Sequence, residues 1–141
     1  MDPFRVLQDW GLGALVFLGL AAQPATFNTP LLQRGSVVFS LQDAFPDELQ
    51  TLIDYGTEVT IHYHIRFHTR AGVRDTAVEQ SLVYDRRRQI TRLRRGGESG
   101  PSLPKATAQR WVSTLEVPLG TIPPEQISVR AVLRLQGRSE A

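Results

Sequence analysis

The chain has 141 residues, no cysteine, and 16 lysines and arginines against 14 aspartates and glutamates, a formal charge of +2 at pH 7. That length suits one domain with a single core. The lack of cysteine excludes a disulfide framework, a thiolate zinc site, a thiol nucleophile and a lipid-modified cysteine.

Residues Trp10–Ala22 (WGLGALVFLGLAA) form an apolar run, and the next charge after Asp9 is Arg34. A membrane-spanning helix needs about 20 apolar residues, whereas the apolar region of a secretory signal takes about 7–15. The run reads as a signal peptide or membrane anchor within residues 1–22. Asp2 and Asp9 against Arg5 depart from the positive start that a signal favours. The expected location is the cell envelope, either periplasmic or anchored in the inner membrane through residues 10–22. Residues 23–34, with Pro24, Asn28 and Pro30 and no periodicity, read as an extended linker. The β-rich domain is then 35–137, and 138–141 is a tail.

Within the domain, Val37–Leu41 (VVFSL) is β-branched and aromatic, which predicts a first strand. Pro46, Asp47 and Glu48 open a short helix, with the two acids where the helix dipole favours negative charge. Leu49, Leu52 and Ile53 give that helix an apolar face, and Gly56 stops it. A long strand from Thr57 to Thr69 follows. Its apolar set is Val59, Ile61, Tyr63, Ile65 and Phe67, alternating with Thr60, His62, His64 and Arg66. Ala71–Gly72 makes a turn into a strand over 76–84, where Gln80 interrupts the apolar side and predicts a bulge or a half-wet edge. Asp85–Arg88 turns the chain into a return strand, Ile90–Arg94. Residues 96–104 (GGESGPSLP) read as a flexible loop. Pro104, Ala108, Trp111, Val112 and Leu115 predict a second helix that Pro118 and Gly120 end. Ile127, Val129, Ala131, Leu133 and Leu135 mark the last two-sided strand.

The order is strand, helix, three strands, helix, strand. The two best strands each have one polar face, whereas a parallel doubly wound sheet would show strands apolar on both. The fold class expected is therefore mainly β: an antiparallel, sandwich-like domain with two short helices covering an open edge or end, after an N-terminal hydrophobic segment. The pairing order of the strands is open.

The segment Val37–Phe67 couples an FSL-x-D-A-F strand end to a short helix, a glycine stop and a long alternating strand. The later blocks SLVYDRRRQITRLRR, ATAQRWVSTLE and ISVRAVLRL follow in order. Over about 100 residues this resembles the bacterial envelope proteins of domain of unknown function 4390. The resemblance implies an exported or membrane-anchored β-rich domain and carries no catalytic residue, ligand or activity.

Two groups of side chains invite a chemical reading. His62 and His64 share the polar face of one strand about 7 Å apart, a spacing at which two imidazoles can share zinc or copper. His68 lies on the same face, and Glu58 is a possible further ligand. No third ligand is marked, so a histidine face without metal is the better reading, and no cofactor is expected. Arg86, Arg87, Arg88, Arg92, Arg94 and Arg95 form the one strong charge cluster, and guanidinium forks suit phosphate and carboxylate. There is no glycine-rich phosphate loop, G-x-S-x-G elbow or metalloprotease helix, so an enzyme is not expected. The expected function is an envelope-associated, non-enzymatic interaction domain. Its partner would be a protein, or anionic lipid head groups bound through the basic hairpin. The alternative is a cytoplasmic module that binds nucleic acid through Arg86–Arg95.

Overall fold

In the computed structural model the described residues are 5–11, 26–28, 31–33, 35–42, 44–121 and 124–136. Along them run β1 (Arg5–Gly11), β2 (Thr26–Phe27), β3 (Leu31–Gln33), β4 (Ser36–Gln42), α1 (Asp47–Asp54), β5 (Glu58–Thr69), β6 (Gly72–Asp85), β7 (Ile90–Arg95), β8 (Glu98–Leu103), α2 (Lys105–Val112), β9 (Thr114–Pro118) and β10 (Gln126–Gln136). One sheet has the order β1-β10-β5-β6-β7-β8; the second is built on β4, which pairs with β2, β3 and β9. Every pairing is antiparallel except that of β1 with β10. The protein is mainly β, two sheets in a sandwich-like arrangement with two short helices.

The period-two pattern decides which face of the large sheet is buried. Val59, Ile61, Tyr63, Ile65 and Phe67 of β5 are all essentially inaccessible, as are Ile127, Val129, Ala131 and Leu133 of β10, their register partners or near neighbours. They join Val37, Phe39 and Leu41 of β4, Leu115 and Val117 of β9, and the buried faces of both helices in one core. Full burial of each large side chain contributes roughly 1.5–3 kcal/mol.

Local chemistry shapes the helices. Asp47 and Glu48 sit in the first turn of α1, and Gly56 at φ +92° closes it. The Gly56 N–H donates to the Ile53 carbonyl and the Thr57 N–H to that of Leu52, the Schellman pattern that only a left-handed residue permits. The helices then clamp each other. Gln50 and Gln109 exchange two amide hydrogen bonds at 3.1 and 2.7 Å, and Lys105 ion-pairs with Asp54. Lys105 at the start of α2 and Asp54 at the end of α1 each oppose their own helix dipole, so the pair offsets two unfavourable placements.

Four expectations are corrected. Residues 96–104 are not a loop: Gly96–Gly97 makes the hairpin turn, Gly96 at φ +59°, and β8 pairs with β7. An edge strand tolerates Pro101, which lacks an N–H for a further neighbour. Leu115 belongs to β9 rather than to the second helix; α2 ends at Val112, and the chain pairs with β4 before Pro118. Gln80 causes no bulge, since its register on β5 and β7 is unbroken and its side chain is fully buried. The irregularity lies instead between Arg92 and Arg94, on the β7–β8 pair. Finally, the stretch 23–34 supplies β2 and β3, which pair with β4.

The N-terminal segment is described in part. Arg5–Gly11 forms β1 beside β10, whereas residues 12–22, the remainder of the apolar run, lie outside the described residues. Among the described residues no helix is long and apolar enough to cross a membrane.

Candidate functional site

Because β5 and β10 bury their apolar residues on one side, the opposite face of the large sheet collects the polar ones in cross-strand rows. One row runs Ser128, Arg66, Asp75; the next Arg130, His64, Ala77; the next Val132, His62, Glu79. A fourth crosses five strands: Arg134, Thr60, Ser81, Arg94 and Ser99. Arg92 and Ser102 lie opposite each other in a fifth. Among the described residues no Phe, Tyr or Trp occurs in these rows.

The structure divides the six hairpin arginines among three places. Arg86, Arg87 and Arg88 form the exposed turn between β6 and β7. The Asp85 carboxylate accepts from the Arg87 and Arg88 backbone N–H groups at 3.0 and 3.3 Å, which organises the turn. Arg86 lies over the exposed Tyr55 ring. Arg92 and Arg94 project from the outer face of β7, and Arg92 approaches Asp85 at 3.7 Å. Arg95, by contrast, belongs to the inner side, opposite buried Gln80. Its Nε donates to Gln80 Oε1 at 2.8 Å and its guanidinium lies over Trp111.

Gln80 in turn donates through Nε2 to the carbonyls of Trp111, Val112 and Thr114, and the Tyr63 hydroxyl donates to the Val112 carbonyl at 2.8 Å. The group therefore fastens the α2–β9 corner to the sheet, and Arg95, although exposed, is engaged there and set on the face opposite Arg92 and Arg94.

The histidines are likewise separated by their partners. His62 is half-buried and contacts Glu79 at 3.0 Å through Nδ1. Its pKa falls below the ordinary imidazole value because burial outweighs the attraction of Glu79, with Arg134 and His64 adding repulsion. At neutral pH the contact is thus a neutral N–H donating to a carboxylate. His64 is exposed one row away. Among the described residues no three His, Asp or Glu side chains gather as a metal site would require.

Two of the depressions among the described residues open on the outer face. The larger, about 680 Å³, is lined among the described residues by His64, Arg66, His68, Asp75, Ser128 and Arg130. Its cations are already engaged: Arg66 Nε and Nη2 donate to the two Asp75 oxygens at 2.7 and 3.3 Å, and Arg130 has a partner as well. Arg66 holds the Asp75 carboxyl below its usual range. The smaller, about 490 Å³, is lined by Glu58, Ser81, Arg92, Arg94, Ser99 and Ser102, with Val83 and Gly100.

The serines were not legible as site residues, since Ser99 and Ser102 fell in the segment read as a loop. The Gly96–Gly97 dipeptide, flanked by residues that can pair, is the signal that places them on a strand. No protein-family model, curated protein or solved structure matches the chain.

Proposed function

We propose that the protein is an envelope-associated, non-enzymatic interaction domain that binds the acidic surface of a partner protein through the arginine hairpin. The observation that carries this is the state of the turn. Arg87 and Arg88 are exposed and make no ion pair among the described residues, while their backbone is tied to Asp85 so that the side chains project from an ordered turn. The turn backbone is therefore already ordered, and meeting carboxylates costs only the ordering of the side chains themselves. The apolar stretch 10–22 and the resemblance to domain of unknown function 4390 support the location. A sheet-edge docking mode is less favoured at β8, where Pro101 and the bulge blunt the edge. Single-stranded nucleic acid is less favoured, since the described outer face has no aromatic platform and at the turn the exposed Tyr55 ring is already covered by Arg86.

The test has two readouts on the full chain. Protease should reach the Arg86–Arg95 hairpin in spheroplasts, and a photo-crosslinker at Gln89 should capture an envelope protein, with capture lost when Arg86, Arg87 and Arg88 are changed to Glu. A protected hairpin in a cytoplasmic chain retained on DNA-cellulose, with affinity falling steeply with salt, would replace this reading by the nucleic-acid one.

A further inference from the structure

From the smaller depression on the outer face we infer a second binding site, distinct from the turn, for a phosphomonoester group. It is formed by Arg92, Arg94, Ser81, Ser99 and Ser102. Arg94 lies directly between Ser81 on β6 and Ser99 on β8, and Arg92 lies opposite Ser102, so two guanidinium forks and three hydroxyls share one concavity. Among the described residues none of Arg94, Ser81, Ser99 and Ser102 has a side-chain hydrogen bond or ion pair. Arg92 has only its 3.7 Å approach to Asp85. Arg94 and the three serines are thus donors with no acceptor among the described residues, drawn from three adjacent strands.

The geometry selects the ligand class. A planar carboxylate is satisfied by one guanidinium fork. Donors converging from three strands suit a tetrahedral group whose several oxygens each accept, and a monoester carries about −1.5 to −2 charge at pH 7. The bulge between Arg92 and Arg94 re-aims this stretch of β7–β8, a role such irregularities commonly serve beside sites.

Gly100 makes the floor tight. A Cβ there would stand 3.2 Å from Leu93 Cβ and 3.3 Å from Trp111 Cζ2, so β8 sits as close to the core as its backbone allows.

Two acids oppose the anion: Asp85, 3.7 Å from Arg92, competes for that guanidinium, and Glu58 faces the depression from β5. Glu58 lines the far wall on β5, two strands from β7, or about 9–10 Å by strand spacing. Its carboxylate shares the depression with the arginines, so Glu58 weakens the site and its removal strengthens it. The larger depression is the poorer candidate because its arginines are already engaged.

The test is titration of the full chain with inorganic phosphate, followed by backbone amide NMR and calorimetry. Saturable shifts should centre on Ser81, Arg94, Ser99 and Ser102. Arg94→Gln should weaken binding at least tenfold and Ser99→Ala severalfold, while Glu58→Gln should tighten it. Arg87→Gln, at the turn, should leave it unchanged, which separates this site from the hairpin contact. Thermal melts of each variant check that folding is intact. Co-sedimentation with phosphatidylcholine vesicles, with and without phosphatidate, distinguishes the sources: binding only when phosphatidate is present assigns a lipid head group, and phosphate binding without it assigns a free phosphoryl ligand. Absence of both, or phosphate binding that falls with Arg87→Gln and not with Arg94→Gln, overturns the site and leaves the hairpin reading standing.

Discussion

Arg94 and Arg95 are neighbours in the chain and opposites in the fold. Arg95 turns to the inner side, where buried Gln80 and the Trp111 ring hold it, and Gln80 passes the connection on to three carbonyls at the α2–β9 corner. Arg94 turns to the outer side, beside two serines, with no side-chain partner among the described residues. One residue of β-strand pleat separates a cation that stabilises the structure from one available to a ligand. A run of like charges in a sequence is therefore not one patch when the run lies in a strand.

The contrast between the faces predicts a graded set of effects. The largest belongs to the inner apolar face. Ile61→Ala should cost about 2–5 kcal/mol in denaturant unfolding, because a side chain with no exposed area leaves a cavity. On the outer face Thr60→Ala, its chain neighbour, should stay within about 0.5 kcal/mol. Equal costs would erase the distinction.

Next comes the polar corner. Gln80→Leu removes the donor for three carbonyls and the acceptor for Arg95, and should cost about 1–3 kcal/mol. The Trp111 fluorescence should report a loosened environment. A stable variant with unchanged emission would show that the corner holds without Gln80.

Thr91 sharpens the same comparison with the opposite sign. It is fully buried on the inner side, and its hydroxyl has no hydrogen-bond partner among the described residues. Thr91→Val keeps the shape and removes the unpaired group, so it should raise stability by about 1 kcal/mol. A loss on melting would mean that the hydroxyl has an acceptor in solution.

The smallest effect is electrostatic and belongs to the outer face. Burial lowers the His62 pKa in the folded protein below its ordinary 6.5. The unfolded chain then binds the proton more readily. The stability contributed by neutral His62 is present above pH 6.5 and is lost as pH falls through that value towards the lower folded pKa. His62→Asn should flatten the decline of stability below pH 6.5. An unchanged slope would place the titration elsewhere.

Periodicity was sufficient for the elements whose burial is two-sided. β5 and β10 alternate over so many residues that only one face of each can be buried, and α1 carries its own start and stop in Asp47, Glu48 and Gly56. The sequence by itself therefore determined the mainly β class, the first helix, the main hairpin turns and the inward set of the large sheet. It did not determine β8 or β9. β8 lacks a repeating pattern, β9 alternates over only five residues directly after a helix, and both are held by backbone pairing, with β7 and β4. The same holds for the Gly72–Asp75 end of β6, carried by its pairing with β5.

Tertiary structure alone decided the fate of the polar residues. Gln80 looked like an interruption because, taken locally, an amide on an apolar face is a cost. Three carbonyls left by the end of α2 and the start of β9 convert it into a fastening. The assembly of Ser81, Arg94 and Ser99 across three strands is equally invisible in one dimension, since cross-strand register, not chain proximity, makes neighbours in a sheet.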